Sequence, residues 1–384
     1  MGQAKKRWME IEERGYGEID KFICPNCVGD KYMKSWIDEN STGEAYCDYC
    51  GEFSRCVPME VFQEKINSVI RAYYTIAEGE LPYDSEEGCY LGTTFDTEEL
   101  LSDLNSELEA DEAVLDDLKE SFADITWCYR EPLRLSETEI RLSSWNDFVN
   151  SVKYNTRYFF FTKKDDYYGE SYSPLSILNI IGEEIENFKL IKELPEKSSF
   201  YRARSTDGNC KEFNGKTLGS PPYYCAAANR MSAEGISAFY ASETQDTAAS
   251  EVRDVKKDII IAEFENLKPL TYIDMTEIEN LGLPSFFDLE NKRERDAIIF
   301  LRSLNKELVR PIEDLKAIEY VPTQIFAEYC RSVMKVDGIK YRSSKDKTGK
   351  CYVFFIDNEE CYQTEVRVKF YKPQRLRLKD YFYK

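Results

Sequence analysis

Six residues in the second half of the chain are of types that together could grip a polyanion and steady a cation: Arg202, Arg204, Arg230, Tyr240, Glu251 and Ser343. Arg202 and Arg204 stand two apart in "FYRAR", so a strand there puts both on one face. Arg230, Tyr240 and Glu251 all fall within "NRMSAEGISAFYASETQDTAASEVRD", which reads as a loop, a short apolar strand and a helix. Ser343 stands at a strand end in "YRSSKDKTGK". Two guanidinium groups facing one cleft suit a diphosphate, whose oxygens accept bidentate contacts. Tyr240 offers a ring for stacking. Small Ala248 and Ala249 let the helix pack closely, and a carboxylate carried toward a core must be paired, hydrated or functional. Ser242 with Gln245 fits an S-x-x-Q capping box that would start this helix. Each residue also has an ordinary reading: a surface or ion-paired Arg, a solvated Glu, a core Tyr, a turn-forming Ser. The residues by themselves reach a site for a polyanionic small molecule and no further.

The chain of 384 residues contains no histidine. That excludes a Ser-His-Asp triad, a Cys-His dyad and any imidazole metal ligand. Acid–base work is left to carboxylates, Tyr, Lys, Cys or water, which favours reactions needing little proton transfer. A net charge of −20 repels phosphate backbones, so no nucleic-acid partner is expected. No apolar run reaches the about 18 residues of a membrane span. The opening "MGQAKKRWMEIEERGYGEID" lacks the apolar stretch of a signal peptide, and a cytoplasmic protein is expected.

Four of the 12 cysteines form a pattern: Cys24, Cys27, Cys47 and Cys50 make two C-x-x-C knuckles, with Gly51 after the second. Four thiolates at this spacing suit a closed, tetrahedral, structural Zn2+ site. Cys56, Cys89, Cys128, Cys210, Cys225, Cys330, Cys351 and Cys361 show no such spacing and read as small buried hydrophobes.

The elements that must position these groups fall into three segments: a four-cysteine module over 1–55, a helical domain over 56–193, and an α+β domain with a mixed sheet over 194–384. Apolar residues recur at helical spacing in "VPMEVFQEKINSVIRAYY" and, at Leu100, Leu101, Leu104 and Leu108, in the acidic stretch that follows. "SSWNDFVNSVK" and "PLSILNIIGEEIENF" read as further helices. From "SFYRAR" onward strands alternate with helices, and "GIKYRSS", "CYVFFID" and "EVRVKFY" read as closing strands.

The ordered blocks "YRAR", "NRMSAEGISAFYASETQDTAASEV", "YVPTQIFAEYCR", "DGIKYRSS" and "CYVFF" resemble the RES domain, named for an Arg, a Glu and a Ser. The front half, with its C-x-x-C pair, "SSWNDFVNSVK" and "TRYFFF", is similar to the HEPN/RES N-terminal domain. The loop "NRMSAEGI" departs from the Ser-Pro-Ala-Gly expected after its Met. The resemblance implies an ADP-ribosyltransferase-like fold and a toxin that consumes NAD+ as substrate. It places Arg202 and Arg230 on the diphosphate, Tyr240 on the nicotinamide, Glu251 at the ribose, and Ser343 at the nicotinamide end or the ribose. Catalysis would then rest on Glu251, Arg202 and Ser343. Water as acceptor gives hydrolysis, phosphate gives phosphorolysis, and a protein side chain gives ADP-ribosylation; net loss of NAD+ is the first expectation. HEPN ribonucleases need an R-x4-6-H motif, which a histidine-free chain lacks, so the helical domain is left to sense, oligomerise or inhibit. An antitoxin or regulatory protein, and a second copy of the chain, are the implied partners. The competing class is a non-catalytic zinc-containing scaffold.

Overall fold

The computed structural model describes residues 14–132, 134–162, 171–206, 214–252, 258–310, 317–362 and 368–377. Cys210 and the segment before Arg14 lie outside the described residues. The chain forms two compact units, one of residues 1–136 with 283–296, the other of 137–282 with 297–384.

In the first unit, β1 (Phe22–Ile23), β2 (Gly43–Tyr46) and β3 (Phe53–Pro58) form an antiparallel sheet in the order β1-β3-β2. Helix α1 (Lys31–Glu39) is capped by the Asp30 carboxylate, and α2 (Met59–Tyr73) follows β3 directly. The stretch after α2 is not purely helical. It carries β4 (Tyr74–Ile76), a hairpin of β5 (Tyr83–Asp84) and β6 (Cys89–Tyr90), β7 (Thr94–Phe95) and, later, β8 (Trp127–Tyr129). Between β7 and β8 lie α3 (Thr97–Leu108) and α4 (Glu112–Ser121). The α3 start is a capping box of Asp96 and Glu99, and its four leucines are buried while its acidic residues face solvent. Segment 283–296 belongs to this unit: Phe286 stacks on Tyr73 at 4.1 Å and Ser285 donates to Asp30 at 3.0 Å.

The second unit is built on an eight-stranded sheet. Its strands are β9 (Ile191–Leu194), β10 (Ser199–Thr206), β11 (Phe239–Ser242), β12 (Asp258–Asn266), β13 (Leu270–Asp274), β14 (Gly338–Arg342), β15 (Lys350–Phe354) and β16 (Val368–Arg377). The order is β16-β12-β10-β11-β15-β14-β13-β9, antiparallel except for β13 beside β14, so the sheet is mixed as expected. Period-two alternation divides its residues. Phe200, Phe239, Phe264 and Phe354 form an aromatic layer on one face, where α7 (Gly215–Leu218) packs Leu218 and α11 (Asn358–Tyr362) packs Cys361. Ile339 and Val353 turn to the other face and meet α5 (Glu137–Asn150), α6 (Pro174–Asn187), α9 (Lys292–Val309) and α10 (Val321–Ser332). A buried ion pair, Arg141 to Glu184 at 3.0 Å, ties α5 to α6.

Two further sequence expectations need correction. The short helix α8 (Gln245–Glu251) is capped by Thr244, not Ser242: the Thr244 hydroxyl accepts from Thr247 N, while Ser242 is the last residue of β11, paired to Cys351. A residue held in a strand ladder cannot also cap a helix starting three positions on. And Cys89 and Cys225 are exposed, because each sits in a short surface element, whereas Cys56, Cys128, Cys330, Cys351 and Cys361 are buried as expected.

Candidate active site

β10 and β11 share a single register pair, Tyr201 with Ser242. Beyond it the ladder is open, and the Tyr240 carbonyl accepts the Arg202 side chain, Nη1 at 2.6 Å. A cavity of about 210 Å3 lies at this opening. Arg202, Tyr240, Ser242, Glu251, Tyr341 and Cys351 line it, with Asn229 and Ser232 from the loop before β11. A larger depression of about 540 Å3 lies between the first turn of α8 and residues 345–350. It is walled by lysines and carboxylates together, whereas the smaller cavity brings Arg202 and Glu251 to one space.

Glu251 reaches this cavity because α8 is only seven residues long and ends on it. A carboxylate at a helix C-terminus opposes the helix dipole, so it needs donors. The Ser343 hydroxyl donates to Glu251 Oε1 at 2.5 Å, and Lys345 Nζ donates to the Glu251 carbonyl at 3.2 Å. Ser343 Oγ in turn accepts from the backbone N–H of Lys345 and Asp346, at 3.1 and 3.0 Å. Those two bonds fill its acceptor sites, so its proton must point at Glu251. A second rung joins the same two elements: Thr247 Oγ1 donates to Asp346 Oδ2 at 2.7 Å. Thr247 and Glu251 are four apart and share one helix face. The turn after β14 thus grips α8 at both ends. Cys351, whose thiol burial and the Glu251 charge push up to about 12, stays neutral and points its sulfur at Oε1 from 3.7 Å. Among the described residues, Oε2 takes no hydrogen bond.

Arg202 and Arg204 do share a face, and it is the aromatic one: the Arg202 guanidinium lies 5.3 Å from the Phe239 ring, and Arg204 Nη2 donates to the Gly219 carbonyl at 2.7 Å. Among the described residues no carboxylate lies within ion-pair distance of Arg202, and its buried Nε has no hydrogen-bond partner. Burial first, and then the like charge of Arg204, lower its pKa. A guanidinium keeps its proton at any working pH, so this destabilisation appears as a demand for an anion.

Tyr240 fixes the loop that closes the cavity. Its hydroxyl accepts from Met231 N at 3.1 Å and lies 3.1 Å from Ser232 Oγ. From the other side α10 holds the same loop: Gln324 Nε2 donates to the Asn229 and Ser232 carbonyls at 2.8 and 3.2 Å, and Thr323 donates to the Arg230 carbonyl. Arg230 does not line the cavity. Its Nη1 donates to the Leu308 and Arg310 carbonyls at 2.8 and 2.9 Å, satisfying the C-terminal end of α9. Arg202, Tyr240 and Glu251 are therefore brought together on the cavity, with Ser343 one bond behind Glu251 and Arg230 set apart. Reading by residue type missed Tyr341, Cys351, Thr247 and Asp346. Tyr341 pairs across the ladder with Cys351, and burial raises the phenol well above its ordinary pKa, leaving a neutral ring and hydroxyl in the wall. Pairing "KYR" with "KCY" in register would have found the first two; Thr247 and Asp346 meet only in three dimensions.

The other predicted centre is intact in the first unit. The sulfurs of Cys24, Cys27, Cys47 and Cys50 all lie within 4.8 Å of one another, with Cys24–Cys50 and Cys27–Cys47 both at 3.5 Å. A tetrahedral zinc with bonds of about 2.3 Å sets its sulfurs about 3.8 Å apart, so the cluster fits one. Gly51 holds φ at +75°, a conformation that turns the second knuckle and favours glycine. Burial opposes ionisation of Cys47, yet N–H groups of Cys50, Tyr49 and Cys24 bring its pKa below the ordinary value. Burial pushes Cys24 up to about 12, a bias that a bound cation reverses.

No described helix is long and apolar enough to cross a membrane. No curated protein matches the chain. A solved structure is similar: a chain of the M. tuberculosis MbcT–MbcA toxin–antitoxin complex, at 10% identity and a TM-score of 0.33, with 53% of this chain and 96% of that one covered. That likeness is too slight to argue from. Two family models match far more directly: HEPN/RES N-terminal domain 1 over residues 40–166, and the RES domain over residues 199–378, which contains every group lining the cavity. The chain thus carries a RES domain, preceded by an HEPN/RES N-terminal domain.

Proposed function

We propose that the RES half binds NAD+ and breaks its nicotinamide–ribose bond. One observation carries this: Arg202, a half-buried guanidinium with no carboxylate within ion-pair distance among the described residues, shares a small cavity with Glu251, a carboxylate whose Oε1 is fastened while its Oε2 takes no hydrogen bond among those residues. Arg202 holds the diphosphate. Tyr240 and Tyr341 wall the nicotinamide end. Glu251 Oε2 accepts from a ribose hydroxyl and faces the anomeric carbon. The C1′–N bond breaks heterolytically, its electron pair leaving with nicotinamide, which departs neutral. The leaving group is already cationic, so no general acid is required, in keeping with a site that has no histidine. Positive charge grows on the ribose, where a fixed carboxylate in a low-dielectric cavity stabilises it. Water then adds and loses a proton, or phosphate or a side chain adds instead. Net NAD+ destruction by water or phosphate is the activity proposed, as befits a toxin, and an antitoxin or other regulatory protein is the partner it implies. Cys24, Cys27, Cys47 and Cys50 would hold a structural Zn2+ that stabilises the first unit and takes no part in the reaction.

The test is incubation of the full chain with NAD+, with and without phosphate, following nicotinamide and the ADP-ribose product by mass spectrometry beside Glu251→Gln. Nicotinamide release that the substitution abolishes is the expected result, and the product mass names the acceptor. A product mass shift on protein makes the enzyme a mono-ADP-ribosyltransferase. No release from folded, zinc-loaded protein overturns the catalytic assignment in favour of a scaffold.

A further inference from the structure

The cavity at Glu251 measures about 210 Å3, below the about 300 Å3 at which sites for drug-sized ligands begin. It can enclose the nicotinamide riboside end of a dinucleotide but not the adenosine. Pro221 and Ala227 both line it, and the chain between them makes one outward excursion, the 3-10 turn Tyr223–Cys225. That turn is well tied. Ser237 Oγ donates to the Pro221 carbonyl at 2.6 Å, Cys225 N to the Pro222 carbonyl at 2.8 Å, and Gly235 N to the Ala226 carbonyl at 2.9 Å. Tyr223 and Tyr224 nevertheless stand 75% and 74% exposed, edge to face with centroids 5.3 Å apart. A fixed turn that presents two adjacent rings to water beside an undersized cavity has an unfilled stacking surface. Tyr223 is two residues from Pro221, so its Cα lies within about 7.6 Å of that cavity wall.

We infer that Tyr223 and Tyr224 form an adenine platform: the base of the dinucleotide stacks on this aromatic pair while the nicotinamide end enters the cavity. The assignment rests on NAD+ as the ligand. It adds specificity, since a mononucleotide lacking adenosine fills the cavity equally well but gains nothing from the rings. Stacking is tolerant of the base and needs a ring, not a hydroxyl.

The experiment compares NAD+ with nicotinamide mononucleotide on wild type, on the double variant Tyr223→Ala/Tyr224→Ala, and on Tyr223→Phe/Tyr224→Phe. The alanine pair is expected to raise KM for NAD+ by roughly 5- to 150-fold, the range of a lost base–aromatic stack, with KM for the mononucleotide unchanged. The phenylalanine pair is expected to keep both values. Equal effects on the two ligands, or none, overturn the platform. The same comparison read as calorimetric affinity on Glu251→Gln protein does not depend on turnover. NAD+ affinity that needs the rings, in a wild type that releases no nicotinamide, sustains the platform and removes the catalytic assignment. Affinity for neither ligand removes both. As a readout independent of affinity, bound NAD+ but not the mononucleotide is expected to slow alkylation of exposed Cys225, mapped by mass spectrometry.

Discussion

Replacing Ser343 by alanine removes the hydroxyl that holds Glu251 Oε1 at 2.5 Å. A hydrogen bond to a charged partner contributes about 1.5–3 kcal/mol. If that bond aims Oε2 at the anomeric carbon, its loss is felt mainly in the transition state, when ribose charge is largest. With about 1.4 kcal/mol per tenfold in rate, kcat should fall roughly 10- to 150-fold. KM for NAD+ should change little, because the diphosphate is held at Arg202. The fold should survive: the two N–H groups that lose Ser343 Oγ belong to Lys345, which is exposed, and Asp346, which is half-buried, so water can replace it. Steady-state kinetics of nicotinamide release, with a thermal melt of each variant, separate these effects. Ser343→Thr keeps the hydroxyl and should retain most of the activity. A Ser343→Ala enzyme within twofold of wild type in kcat would refute the assignment of Ser343 as the group that orients Glu251. So would a loss confined to KM.

The remaining expectations concern groups around that pair. Asp346→Ala cuts the Thr247 rung and should lower kcat less than Ser343→Ala does; the double variant should fall short of additivity, since both act through one turn. The Thr247 bond first, and the Thr348 N–H after it, hold the Asp346 pKa below the ordinary aspartate value, so this rung is present at neutral pH and is lost only as pH falls below that range; a pH series of melts on wild type and Asp346→Ala checks it. Arg202→Met should raise KM for NAD+ by roughly 10- to 150-fold through loss of a charge-assisted contact while leaving the melting temperature level or higher, because a half-buried cation with no carboxylate partner among the described residues is removed; a large drop in stability would contradict it. Metal analysis should find one zinc per chain, and chelation or Cys27→Ser should melt the first unit, read by circular dichroism, since structural zinc supplies about 10–16 kcal/mol of folding free energy.

Much of this was open to inspection in the linear sequence. The two knuckles needed only spacing, because a tetrahedral thiolate site is defined by which sulfurs can reach one point. The leucines of α3 needed only helical period, and "CYVFF" and "GIKYR" only alternation. The absence of histidine excluded whole classes of chemistry before any fold was known. Arg202, Tyr240 and Glu251 could be picked out as types, and the family resemblance could be drawn from ordered blocks.

What those groups touch was decided elsewhere. Arg230 resembles a ligand-binding arginine in its loop, but α9, some eighty residues on, ends beneath it and takes its Nη1. Ser242 fits a cap by spacing, but β15 claims it for the ladder. The Thr247–Asp346 rung joins residues 99 apart, and the Ser343–Glu251 bond residues 92 apart. Local sequence sets propensity and period, which act over a few residues. Register between distant strands, and the single-pair junction of β10 with β11 that opens the cavity, depend on how every other face is buried. The chain by itself thus settled which chemistries were available, and the packed sheet settled which oxygen of Glu251 is fastened by Ser343.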